Sequence, residues 1–98
     1  MAAYVIAQMT VHDLALYREY AAKVPATVAA HGGRFLVAAD SADVREGEQP
    51  YPRTVIGEFP TLEAAQRWYE SPEYQALAPL RQAAANGTVF MVEGFSVP

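Results

Sequence analysis

The chain has 98 residues, 52% of them hydrophobic and 18% charged, which fits a single domain spanning residues 1–98 with a core that needs no staples. It has no cysteine, so disulfides, thiolate metal sites and cysteine nucleophiles are excluded. Eleven acidic residues against seven basic ones, the basic ones scattered, leave no nucleic-acid footprint. No apolar run approaches the ~18 residues of a membrane span. The opening MAAYVIAQMTVHD has no basic region and reaches Gln8 and Asp13 early, so it does not read as a signal peptide, and the expected location is the cytoplasm.

Residues 4–11, YVIAQMTV, are β-branched and aromatic and predict a first strand, in which Val5, Ala7, Met9 and Val11 form an apolar face. Asp13 is an N-cap for a helix whose stripe is Leu14, Tyr17, Ala21, Val24 and Val28, with Pro25 expected to kink or split it. His31-Gly32-Gly33 closes that helix, Gly32 taking a left-handed cap. Residues 34–39 read as a second strand, 40–52 as a turn or ragged hairpin with a short pairing stretch near 43–45, and 53–59 as a third strand. Thr61 caps a helix bearing Leu62, Ala65, Trp68 and Tyr69 on one side. Ser71-Pro72-Glu73 starts a further helix with Leu77, Leu80 and Ala84 as its apolar face. Asn86-Gly87 reads as the turn that ends it, and 88–95 as the last strand.

The order β-α-β-β-α-β in one small chain describes an α+β, ferredoxin-like plait: a four-stranded antiparallel sheet with its helices on one face. The other face must be solvated or covered. Leaving Ile6, Ile56, Met91 and Phe95 in water would forfeit roughly 1.5–3 kcal/mol each, so the expected partner is a second copy, paired sheet to sheet as a homodimer.

YVIAQMTVHDLALYREYAAKVPATVAAHGGRFLVAADSADVREGE, RTVIGEFPTLEAAQRWYESPEYQALAPLR and VFMVEGF resemble the DUF1330 family of the dimeric α/β-barrel superfamily, most specifically through residues 31–36 and 68–74. The resemblance implies a ferredoxin-like subunit that pairs into a barrel, and the family name attaches no function. Its superfamily includes cofactor-free quinone-forming monooxygenases, haem-degrading monooxygenases, muconolactone isomerase-like proteins and stress-responsive barrel proteins. Kinship of that breadth does not transmit chemistry. Haem proteins of the superfamily combine a polar first-strand residue and a helix Trp with a helix His. Gln8 and Trp68 match the first two, while residues 72–85 hold no histidine.

The two histidines, His12 and His31, have no carboxylate or second histidine at ligand spacing, so no metal is expected. No run of glycines opens a helix after a strand, so no nucleotide cofactor is expected either. His31 at a helix end is either a dipole-stabilised cap or an acid–base group. Arg34 is either a clamp for a carboxylate or enolate, or an ion-pair partner of Glu58 or Glu93. Glu58, mid-strand among apolar neighbours, is either a raised-pKa base or a member of an interface network, with Gln8 and Glu93 sharing its face by alternation. Tyr17, Tyr20, Trp68, Tyr69 and Tyr74 are either core or the walls of a cleft for a flat apolar ligand.

Two functions follow. In the first, a cofactor-independent enzyme of isomerase or monooxygenase type acts on a small hydrophobic or aromatic compound. Its catalytic residues are His31 and Glu58, and Tyr17, Arg34 and Trp68 bind substrate in one cleft between sheet and helices. In the second, the chain is a non-catalytic homodimeric binding or assembly module.

Overall fold

The computed structural model describes residues 1–95; the last three residues of the expected 1–98 domain lie outside the described ones. Seven elements follow in order: β1 (Ala3–Val11), α1 (Leu14–Ala29), β2 (Arg34–Ala39), β3 (Arg53–Phe59), α2 (Leu62–Glu70), α3 (Pro72–Ala84) and β4 (Ala85–Glu93). The strands form one antiparallel sheet in the order β2-β3-β1-β4. The fold is the α+β ferredoxin-like plait. Among the described residues, no helix is long and apolar enough to cross a membrane.

Local chemistry sets the helix ends. The Asp13 carboxylate accepts from the Leu16 amide, and the Thr61 hydroxyl from the Ala64 amide. Ser71 separates α2 from α3, its hydroxyl donating to the Trp68 carbonyl at 2.7 Å and accepting from the Tyr74 amide at 3.2 Å. Gly32 closes α1 at φ +78°, a conformation that costs a side chain dearly.

Three expectations are corrected. Helix α1 is not split at Pro25 but runs unbroken to Ala29. A proline removes a single amide donor, and packing of α1 on α3 and the sheet outweighs that loss. No strand forms between residues 40 and 52. Asn86-Gly87 is not a turn: α3 passes directly into β4 at Ala85, and Gly87 lies opposite Met9 in the ladder. A Cβ on Gly87 would stand 2.0 Å from the Gln8 carbonyl oxygen, so this glycine permits close strand approach.

Residues directly opposite one another share a face. The inner, helix-covered face carries the rows Phe35–Gly57–Val5–Met91 and Ala38–Val55–Ala7–Val89, with Arg53 beside Met9. The outer face carries Arg34–Glu58–Tyr4–Val92, then Val37–Ile56–Ile6–Phe90, then Ala39–Thr54–Gln8–Thr88. Met91, expected outside, therefore packs against the core. Its place in the apolar outer row is taken by Phe90, 44% exposed. A bulge between Phe35 and Val37 lets β2 present Arg34 and Val37 to the same side.

Candidate functional site

Between the inner face and the helices lies a cavity of about 230 Å³. Small residues form its floor: Ala7 on β1, Gly57 on β3 and Ala38 on β2. Aromatic side chains wall it. Trp68 and Tyr74 have ring centroids 4.2 Å apart, and Phe59 stands 5.4 Å from Trp68. The indole is fixed by its N–H donating to the Thr27 hydroxyl at 3.0 Å, while that hydroxyl donates to the Val24 carbonyl.

The polar groups of the lining form two hydrogen-bonded sets, with the Tyr17 and Tyr20 rings 5.8 Å apart between them. Arg53 donates from Nε to the Tyr17 hydroxyl at 3.1 Å, and its Cζ lies 5.2 Å from the Tyr17 ring centroid. Its Nη1 reaches Asp40 at 2.9 Å. The Tyr20 and Tyr74 hydroxyls are 3.0 Å apart, and Arg81 donates from Nε to the Tyr74 oxygen at 3.3 Å. Burial, with Tyr74 beside it, pushes the Tyr20 phenol far above its ordinary value, so Tyr20 stays protonated. Tyr17, Ala21 and Arg53 also line a second depression with Val11, Leu14, Arg18 and Asp40, so the Arg53–Tyr17 pair partitions cavity from surface.

Of the five residues expected to converge, Tyr17 and Trp68 line this cavity. Arg34, Glu58 and His31 do not. Arg34 and Glu58 lie on the opposite side of the sheet, where the guanidinium contacts the carboxylate at 3.2 Å through both Nε and Nη2. The Tyr4 hydroxyl donates to the other Glu58 oxygen at 3.1 Å, and that bond holds the Tyr4 phenol above its usual range. His31 keeps Nδ1 3.1 Å from the Thr27 carbonyl, which can only accept, so Nδ1 carries the proton. Glu93 pairs with Ala3, on the inner parity, and Gln8 stands four residues along β1 from Tyr4, roughly 13 Å away. The expected trio of Gln8, Glu58 and Glu93 therefore does not form.

The family model described as "Domain of unknown function (DUF1330)" matches residues 2–95. The chain belongs to the DUF1330 family. A comparison with curated proteins gives no match. Among solved structures, the DUF1330 chain is similar to a protein of unknown function from Rhodopseudomonas palustris, with a TM-score of 0.79 and 15% identity over 98% of this chain and 84% of that one. It is also similar to a dimeric ferredoxin-like protein of unknown function from Jannaschia, with a TM-score of 0.75 and 15% identity over 98% of this chain and 100% of that one. A third similar structure is SnoaB from Streptomyces nogalater, described as a cofactor-independent oxygenase, with a TM-score of 0.69 and 18% identity over 98% of this chain and 95% of that one. At these identities the likeness is one of fold.

In this DUF1330 chain the two residues matching the haem pattern are separated by the sheet, Gln8 outside it and Trp68 beneath it. Sequence reasoning missed Arg53 and Arg81. The parity of β3 carried the signal for Arg53, since it alternates in step with Val55, Gly57 and Phe59. For Arg81 the signal was helical spacing, seven residues after Tyr74 on the stripe shared with Ala78.

Proposed function

We propose that this DUF1330 protein is a homodimer, paired through the outer face of its sheet, that binds one small aromatic compound in the cavity of each subunit. The observation that carries the binding reading is the cavity itself: a floor of Ala7, Gly57 and Ala38, aromatic walls, and a few polar groups in two hydrogen-bonded sets. Its volume, about 230 Å³, exceeds the ~150 Å³ of an engineered apolar cavity that takes benzene, so one substituted ring fits. The pairing reading is supported by the apolar row Val37–Ile56–Ile6–Phe90 that the outer face leaves to water.

A second reading is cofactor-independent turnover of that compound, of isomerase or monooxygenase type. Its support is the phenol and guanidinium groups, which would hold the oxygen of a substrate that enters already as its enolate or phenolate, together with the likeness in fold to SnoaB. A side-chain base is not offered by the lining, which holds neither carboxylate nor imidazole.

Calorimetry and thermal unfolding with toluene, benzyl alcohol and indole test the binding reading. A compound that binds raises the unfolding midpoint, by the equivalent of about 2.7 kcal/mol at a hundred times its Kd. Ala7→Leu fills the cavity from the floor and Ala21→Leu from α1, and each is expected to remove the effect. If no compound shifts the wild-type midpoint, or if both filled variants respond as wild type does, the cavity is not a binding site.

A further inference from the structure

Every buried polar side-chain atom of the described residues has a hydrogen-bond partner, yet around the cavity the hydroxyl protons outnumber the acceptors. Tyr20 and Tyr74 together carry two hydroxyl protons. One is used in the bond between them. The Tyr74 oxygen also accepts from Arg81, and the second hydroxyl proton has no acceptor among the described residues. The Tyr17 hydroxyl accepts from Arg53, and its own proton likewise has no acceptor there. The charges are as lopsided. Two guanidinium groups line the cavity and no carboxylate does. Arg53 has a counter-ion in Asp40, whose side chain is 81% exposed and stands on the solvent side of the partition. Arg81 is half-buried and, among the described residues, has no carboxylate within 4.0 Å. A guanidinium so placed gains strongly from an anion, because it has already surrendered part of its hydration.

We infer that the compound held in this cavity is a single-ring aromatic carboxylate, its oxygens received by the Arg81 guanidinium and the spare hydroxyl proton of the Tyr20–Tyr74 pair. The inference rests on the proposed binding role of the cavity and adds the charge of the ligand. The ring lies among Trp68, Phe59 and Phe35, while Arg53, already paired with Asp40, stands at the partition. Because Tyr20 and Tyr74 are coupled by one hydrogen bond, whichever of them donates to the other, a proton is left to donate to the ligand.

Calorimetric titration at pH 7 with benzoate, benzyl alcohol and benzylamine tests it. Benzoate is expected to bind about ten- to a hundredfold more tightly than benzyl alcohol, the margin of a charge-assisted bond over a neutral one, and benzylamine more weakly than either. In Arg81→Met the ratio of benzoate to benzyl alcohol affinity should fall to near one, and Arg81→Lys should restore part of it. Equal binding of benzoate and benzyl alcohol to the wild type overturns the inference and leaves the cavity reading intact, whereas binding of none of the three overturns both. Should Arg81→Met fail to fold, Arg81→Gln keeps a hydrogen-bonding head without the charge: a fall of the benzoate to benzyl alcohol ratio toward one supports the inference, and an unchanged ratio overturns it.

Discussion

The two faces of one sheet are finished differently. The inner face, which has helices to pack on, mixes small ladder residues, Ala3, Ala7, Ala38, Gly57 and Gly87, with large apolar ones, Val5, Met9, Phe35 and Phe59. The outer face sets an apolar row, Val37, Ile56, Ile6 and Phe90, between polar ones. The small inner residues leave volume beneath the helices, and the outer row leaves apolar area. In the proposed reading the first takes a small guest and the second a second copy of the chain. One strand serves both, because its side chains alternate sides.

The largest expected effect lies on the inner side. Tyr74 is 1% exposed and touches Trp68, Tyr69 and Tyr20, so Tyr74→Ala should lower stability by about 3–5 kcal/mol in urea unfolding. A loss under 1 kcal/mol would mean that the helices and sheet are held apart by something other than this cluster. On the outer side, Ile56→Lys places an unpartnered charge at the centre of the apolar row. Light scattering should then report a monomer where the wild type, well above micromolar concentration, gives a dimer. A wild type that scatters as a monomer at those concentrations, or a variant that still dimerises, removes the outer face as the pairing surface.

A smaller effect separates the faces by pH. Tyr20 has its phenol raised by burial first and by Tyr74 second, so in the folded chain it holds its proton at pH values where the unfolded chain loses it. Its contribution is therefore complete below about pH 10 and declines above. Urea unfolding between pH 8 and 11 should show that decline, and Tyr20→Phe should flatten it; an equal slope in both would assign alkaline unfolding to other groups. The smallest effect belongs to the outer ion pair. With the Arg34 side chain 73% exposed, Arg34→Met should change monomer stability by less than about 1 kcal/mol. A larger loss would show that this pair is a structural element of the subunit.

What was legible in the sequence was what neighbours in the chain decide. Asp13, Thr61 and Ser71 cap helices through atoms three residues away, and Gly32 answers a purely local backbone demand. The candidate site was legible only in part. Tyr17 and Trp68 follow from helical spacing, but Glu58 has the parity of Thr54 and Ile56, so alternation already set it apart from the cleft in which it was expected. Arg34 required the bulge in β2, which reverses parity after Phe35 and follows from no residue in particular. Gly87 shows the remaining difficulty. A glycine demanded by a neighbouring strand and a glycine demanded by a turn are the same letter, and only the partner, some eighty residues away, distinguishes them.

The junction of α3 and β4 contains no connecting residue: Ala84 is the last of the helix and Ala85 the first of the strand. The Ala84 carbonyl there also accepts from the amides of both His12 and Asp13. Such a junction has no slack. Arg81 and Tyr74 sit on its helical side and Phe90 on its strand side, so an added residue would have to displace one set relative to the other. The span from 40 to 52 is the contrast, joining the edge strand β2 to its inner neighbour β3 without a ladder of its own. For engineering, a reporter peptide or affinity tag belongs in the 46–49 region, where extra length is absorbed, and never at residues 84–85, where even one alanine should cost the fold its register.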